Sequence, residues 1–350
     1  MDPKNILVTG GCGFIGSHFI EHTLQAYPDA QVTNVDAMTY AAHPDTAAYL
    51  AELAPERYRF IRADIASADM AAILTPGSFD AVVNFAAETH VDRSILDPAA
   101  FVRTNVLGAQ NLADLCRFAQ VGRFVHVSTD EVYGTLEPDA PLSCENARLD
   151  PNSPYAASKA AADLLVLASA RTFGQDALIT RCTNNYGSYQ FPEKLLPLVI
   201  ANSIDGLPIP VYGDGKQVRD WIYAADHALG IDLALRRGRT GEIYNFSARE
   251  QKENLTVIRQ VLKMLDKPES LITFVGDRPA HDRRYALDPS KAEKELGWKP
   301  QVSFEEGLTR TVDWYLSNQG WWRKVRDKKY FDYYRANYDV KFAETEGPTA

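Results

Sequence analysis

A chain of 350 residues is too long for one small core and suits one large domain or two lobes. Its 45% apolar and 24% charged residues are ordinary for a globular protein. A net charge of −9 argues against nucleic-acid or membrane-surface partners, so an anionic ligand must be held by local Arg and Lys.

In chain order, six apolar runs read as buried strands: ILVTG at 6–10, QVTNVD at 31–36, YRFIRAD at 58–64, DAVVNFA at 80–86, RFVHVST at 123–129 and ALITRC at 177–182. The segments between them are long enough for crossover helices. An α/β fold is therefore expected, a Rossmann-type doubly wound parallel sheet with helices on both faces. Right-handed crossovers place the ligand crevice at the carboxyl ends of the strands. After Tyr186 the texture changes: Pro192, Pro197, Pro208, Pro210, Gly213 and Gly215 punctuate shorter elements. This predicts a cofactor-binding domain over 1–185, a smaller mixed α/β lobe over 186–342 and a frayed tail over 343–350. EIYNFS at 242–247 is one more strand, expected to return to the main sheet. The run at 254–267 is an amphipathic helix with Leu255, Ile258, Val261, Leu262 and Leu265 on one face.

Cys12, Cys116, Cys144 and Cys182 lack CxxC or metal-ligand spacing and read as reduced thiols. The first residues carry no signal-peptide pattern, and no apolar run reaches the roughly eighteen residues of a membrane span. A cytoplasmic location is expected, with no metal.

TGGCGFIGSHF follows the first strand and opens a helix. Gly10, Gly11, Gly13 and Gly16 permit a tight turn and close backbone approach to a pyrophosphate, and the helix then presents free N–H groups. Asp36 ends the next strand, where a carboxylate accepts ribose hydroxyls and repels a 2′-phosphate, so NAD is favoured over NADP. Asp64 ends the third strand and suits either an adenine contact or a helix N-cap.

PYAASK puts Tyr155 and Lys159 four residues apart, on one face of a helix beginning after Pro154. A phenol acts as a base only when its ionised form is favoured, which a neighbouring ammonium does. With Thr129 on the same substrate hydroxyl, the trio serves reversible hydride transfer between a secondary alcohol and NAD. That chemistry leaves Asp130 and Glu131 unexplained. A sugar carbon oxidised to a ketone acidifies the adjacent C–H; one carboxylate can remove that proton while a neighbouring carboxylic acid protonates the departing hydroxyl. The plainer alternative is that one of the two caps the next turn.

The motifs TGGCGFIGSHF, NFAAETHVDRSI, HVSTDEVYG, SPYAASKAAADLL, NNYGSYQFPEKLLPL, VYGDGKQVRDWIY, DRPAHDRRYALD and ELGWKP together resemble the extended short-chain dehydrogenase/reductases, and among them the dTDP-glucose 4,6-dehydratases. The likeness extends to about Leu316. It implies that Tyr155 takes the sugar C4 hydroxyl proton with Thr129 and Lys159 assisting, that Glu131 removes the C5 proton, and that Asp130 protonates the leaving C6 hydroxyl. NAD would be regenerated and stay bound. The resemblance adds Phe14, Ile15, Ile65 and Ala86 to the cofactor contacts. It assigns a nucleotide-diphosphate sugar to Asn184, Lys194, Arg219, Asn254 and Arg284, with Glu193, Tyr212 and His90 beside them. For His90 a structural, hydrogen-bonded role is the alternative.

A nucleotide-sugar 4-epimerase would share the fold, NAD, Tyr155 and Lys159 but lack the acid pair. A 4,6-dehydratase of another nucleotide sugar and a catalytically silent NAD-binding regulator complete the alternatives. FSAREQKEN at 246–254 replaces a glycine-rich stretch near the expected nucleobase pocket, which leaves thymine versus uracil open. A homodimer is expected through the helices after Pro98 and Pro154, where Ala156, Ala157, Ala160 and Ala161 permit close packing.

Overall fold

Continuous apolar runs need cover on both faces, and the helices provide it. The computed structural model describes residues 1–326; the expected tail and the last part of the second lobe lie outside them. The strands are β1 (Asn5–Thr9), β2 (Gln31–Asp36), β3 (Tyr58–Arg62), β4 (Ala81–Asn84), β5 (Arg123–Thr129), β6 (Ala177–Cys182), β7 (Asn184–Tyr186), β8 (Ile209–Tyr212), β9 (Val218–Tyr223), β10 (Ile243–Phe246), β11 (Gln251–Glu253) and β12 (Ile272–Val275). A seven-stranded sheet has the order β10-β6-β5-β4-β1-β2-β3, with every pairing parallel. The return of the 242–247 segment to this sheet is therefore observed.

Alternation along the strands splits the apolar side chains between two cores. Ile6, Val8, Val83, Val125 and Leu178 pack against Phe19 and Ile20 of the helix Phe14–Ala26 and Ile231 and Leu235 of the helix Ala224–Arg237. Leu7, Val82, Phe124 and Ile179 face the other way, onto Leu112, Cys116, Val166 and Ala170. Each fully buried aliphatic side chain of this kind contributes roughly 1.5–3 kcal/mol of burial.

The helix Pro154–Phe173 begins where its chemistry says it should. Ser153 accepts the Ala156 N–H at 3.1 Å, Pro154 occupies the first turn, and Gly174 closes the helix in the left-handed region at φ 66°. On the neighbouring crossover, a widened π-type turn over Val102–Gly108 joins the helices Pro98–Phe101 and Ala109–Phe118. Such turns recur at functional sites.

Two small sheets form the remaining lobe: β9 lies between antiparallel β11 and parallel β7, and β8 pairs with parallel β12. Their core includes Tyr186, Trp221, Phe304, Tyr315 and Trp322. The amphipathic helix is Asn254–Met264, and it buries Val257, Ile258, Val261 and Leu262. Leu255, in its first turn, and Leu265, beyond its last residue, are only partly buried, so Val257 completes the face that Leu255 was expected to start.

Candidate active site

The carboxyl ends of β1, β2, β4 and β5 open into one cleft, lined by Gly10, Gly13, Phe14, Ile15, Gly16, Asp36, Asp64, Ile65, Ala86, Thr129, Asp130, Glu131, Tyr155, Lys159, Asn184, Glu193 and Lys194 among others. Every expected cofactor contact lies in this wall. Gly10 has φ 72°, and a Cβ there would sit 2.6 Å from the Ala86 nitrogen. At Gly16 a Cβ would sit 2.5 Å from the Gly10 carbonyl oxygen. The turn is thus as tight as the backbone allows, and the helix Phe14–Ala26 starts at Gly13 with no side chain capping its first N–H groups. Asp36 is buried and accepts N–H bonds from Cys12 at 2.9 Å and Met38 at 2.8 Å. Burial raises its proton affinity and those two donors oppose the rise. A cradle closed to any Cβ, followed by a carboxylate at the ribose position, fits NAD. Asp64 lines the cleft, and its Oδ1 accepts the Ala66 N–H at 2.9 Å, closing a turn; it caps no helix, since the next one, Met70–Ile73, follows Asp69.

At the end of β5, Thr129 donates its hydroxyl to Asp130 Oδ1 at 3.2 Å and accepts the Glu131 N–H at 3.3 Å. The acid pair therefore occupies a short 3-10 turn, Asp130–Tyr133, capped by Thr129. Burial lifts the Asp130 carboxyl well above the ordinary carboxylate range, and the charges of Glu131 and Asp220 add to it against Arg219. Glu131 is raised by burial, with Arg278, Lys194 and Arg219 opposing. The two acids thus differ: cations surround Glu131, whereas Asp130 Oδ2 is buried with no hydrogen-bond partner. Burial and the charge of Glu131 push the Tyr155 phenol well up, and a hydrogen bond with Thr129 opposes them. Burial also lowers Lys159 to about 8, against the attraction of Asp163.

Asn184 presents a buried Oδ1 without a protein partner, a vacant acceptor in the cleft wall. Lys194 donates to the Thr89 carbonyl at 2.7 Å. Both oxygens of Glu193 are engaged, by Tyr40 at 2.9 Å and Arg93 at 3.3 Å, so it bridges the cofactor-side loop to the second lobe. His90, Tyr212, Arg219, Asn254 and Arg284 do not line this cleft. His90 is buried directly before the helix Val91–Leu96. Tyr212 donates to Asp92 at 2.7 Å, and Asn254 carries a buried, unpartnered Oδ1. Arg219 is buried over the Tyr285 ring and its charge reaches both acids. Arg284 is turned away, donating to Gln251 and to the Glu137 and Ala140 carbonyls.

Sequence reasoning missed Arg278. It is half-buried, 3.7 Å from Asp92, and it is the foremost cation acting on Glu131. Its one sequence signal was membership of DRPAHDRRYALD, in which Arg284, six residues on, drew the attention.

A family model described as GDP-mannose 4,6 dehydratase matches residues 7–311. The chain belongs to this family of nucleotide-sugar 4,6-dehydratases. Within the family it is 44% identical to the dTDP-glucose 4,6-dehydratase of Salmonella typhimurium, over 95% of this chain and 99% of that one. The dTDP-glucose 4,6-dehydratase of Streptomyces niveus is 47% identical over 92% and 95% of the two chains. Among solved structures, the dTDP-glucose 4,6-dehydratase DesIV of Streptomyces venezuelae, crystallised with NAD, superposes with a TM-score of 0.88. It is 49% identical, and the match covers 92% of this chain and 99% of that one. Among the described residues, no helix is long and apolar enough to cross a membrane.

Proposed function

We propose that this chain converts dTDP-glucose to dTDP-4-keto-6-deoxyglucose, and that Thr129, Asp130, Glu131, Tyr155 and Lys159 divide the proton transfers among them. The observation that carries the reading is the carboxyl pair, Asp130 buried and Glu131 half-buried, sharing a cleft with Tyr155 and Lys159. Oxidation alone needs no such pair. NAD held by the turn at Gly10, Gly13 and Gly16 and by Asp36 would supply reversible hydride transfer, from sugar C4 and back to C6.

The residues do the rest. Tyr155 takes the C4 hydroxyl proton, with Thr129 orienting the hydroxyl and the charge of Lys159 favouring the phenolate. Glu131 removes the C5 proton, which the developing C4 ketone has acidified. Asp130, held protonated by its burial, gives its proton to the C6 hydroxyl, which leaves as water. Glu131 then returns its proton to C5. At the end Tyr155 holds one proton more than at the start and Asp130 one fewer, so a proton must pass between them before the next turnover. The Thr129 hydroxyl, bonded to Asp130 and adjacent to Tyr155, lies on that path.

For the nucleotide diphosphate, buried Arg219 and half-buried Arg278 and Lys194 are cations of this region, and Arg278 Nε has no protein partner. Asn184 and Asn254 offer unpartnered amide oxygens. We assign substrate binding to these residues with Glu193, Tyr212 and His90 supporting the walls, and Arg284 acting through the 137–140 loop. A homodimer belongs to the same reading, supported by exposed apolar side chains on the two expected helical segments: Val102, Leu107 and Phe118 on one, Leu164 and Phe173 on the other. Four unpaired cysteines suit a reducing cytoplasm.

The test is incubation of the purified protein with dTDP-glucose, without added NAD, and mass analysis of the sugar nucleotide. Loss of one water, with no reduced cofactor accumulating, is the expected result. Unchanged mass with inverted C4 would replace the elimination by epimerisation.

A further inference from the structure

Behind Tyr155 and Lys159 runs a buried hydrogen-bond chain that this scheme does not use. Lys159 Nζ donates to the Val127 carbonyl at 2.8 Å and lies 3.3 Å from His126 Nε2. The other ring nitrogen, His126 Nδ1, is 3.1 Å from Asn84 Nδ2. The Asn84 amide has one possible orientation. Its Oδ1 accepts the Ala86 backbone N–H at 3.1 Å and the Thr9 hydroxyl at 2.6 Å. A backbone N–H can only donate, so the amide oxygen must stand at that end and the NH₂ group at the histidine end. His126 Nδ1 therefore offers its lone pair, and the neutral ring carries its proton on Nε2, beside Lys159. Thr9, Asn84 and His126 are each no more than 1% exposed, so bulk solvent does not reach the chain.

We propose that Asn84 locks His126 in the Nε2–H tautomer and that this N–H, directed at Lys159, disfavours the lysine ammonium. Lys159 is then a titrating partner of Tyr155, able to gain and lose a proton, and not a permanent cation. The proposal rests on the reading of Tyr155 and Lys159 as the catalytic pair, and it makes His126 and Asn84 positioning residues.

The other groups facing Lys159 do not reverse this. Asp163, one turn along the same helix, favours the ammonium, but its Oδ2 accepts Arg181 Nε at 2.8 Å. Its Oδ1 is 3.8 Å from His126 Nε2, too far to take the ring proton. Arg181 and Cys182 approach from β6; the Cys182 thiol is held protonated by burial, and Arg181 is shared between Asp163 and the Tyr133 hydroxyl. Burial lowers the proton affinities of both Lys159 and His126.

Nitrogen NMR of histidine-labelled protein, with its cofactor bound, reads the tautomer without any substitution. A proton on Nε2 of His126 is expected; a proton on Nδ1 overturns the proposal. Next, the titration of Lys159 is followed by carbon NMR of labelled lysine, together with the alkaline limb of the kcat pH profile. His126→Phe should move both upward by about one pH unit. In an Asn84→Asp background the carboxylate draws the ring proton to Nδ1 and turns Nε2 into an acceptor. There His126→Phe should move them downward. The same direction in both backgrounds overturns the proposal. A wild-type protein that leaves dTDP-glucose unchanged would instead fail the functional reading, while the tautomer and the lysine titration remain measurable.

Discussion

Thr129 and Asp130 are joined side chain to side chain at 3.2 Å, although they are neighbours on an extended strand end where successive side chains normally diverge. The chain leaves β5 into a 3-10 turn at this point, which swings the Asp130 carboxyl back to the Thr129 hydroxyl. The hydroxyl consequently touches both the residue that ends a cycle with a surplus proton and the one that ends it with a deficit. Thr129→Val is expected to lower kcat by about 10²-fold, with the first turnover less affected than those that follow, and Thr129→Ser should recover most of the loss. Rapid-quench comparison of single and multiple turnovers checks this.

Asp130→Asn removes the general acid but leaves Tyr155, Thr129 and Lys159 in place. Oxidation at C4 should persist while water loss slows by about 10²–10⁴-fold, so reduced nicotinamide should accumulate where the wild type shows none. Stopped-flow absorbance distinguishes the outcomes. Glu131→Gln should in addition abolish deuterium incorporation at C5 from deuterium oxide.

The same Asp130→Asn change should stabilise the fold. The folded carboxyl is raised by burial first and by the Glu131 charge second, so the folded state holds a proton that the unfolded chain releases near its ordinary value of 3.8. Stability from this site is present below that value and falls as pH climbs toward the raised folded one. Asparagine does not titrate. The melting-temperature gap between variant and wild type should therefore be small at low pH and widen, in favour of the variant, toward neutrality. Thermal unfolding across that range measures it.

Ala280 adopts φ 51°, in the left-handed region that a Cβ disfavours. It follows Arg278 by two residues, so the strain sits in the loop that brings this cation toward Glu131. Ala280→Gly should raise stability by about 0.5–1 kcal/mol after the entropy of the more flexible unfolded chain is counted. The urea midpoint is the appropriate measure.

Gly16→Ala would place a methyl 2.5 Å from the Gly10 carbonyl oxygen, and both atoms belong to backbone that cannot yield independently. The variant should no longer retain NAD through purification. Nucleotide released on denaturation, quantified by chromatography, checks the prediction.

The strands and the glycine turn were legible because their signals are local: a buried parallel strand is a short apolar run, and a backbone that must pass Ala86 closely is a glycine at position 10. Tyr155 and Lys159 were legible for a similar reason, since helical spacing puts them on one face. Arg278 was not, because the cation that matters for Glu131 is chosen by how the loop before Arg284 folds over the site. Nor was the engagement of Glu193, whose partners Tyr40 and Arg93 come from the loop after β2 and from the helix Val91–Leu96. The His126 tautomer escaped for the same cause: it follows from the orientation of Asn84, a residue on a different strand.

The parallel pairing of β10 with β6 bears on how the chain is made. During synthesis β6 leaves the ribosome long before β10 does, and everything between them must be translated while one border of the sheet still displays bare N–H and C=O groups. The helix that carries Lys159 and Tyr155 packs against β6, the strand at that unfinished border. Domain-by-domain assembly is thereby denied to this molecule: the nucleotide half cannot be sealed until a strand from far downstream has arrived, and a truncation before residue 243 should yield a sticky fragment in place of a smaller working unit.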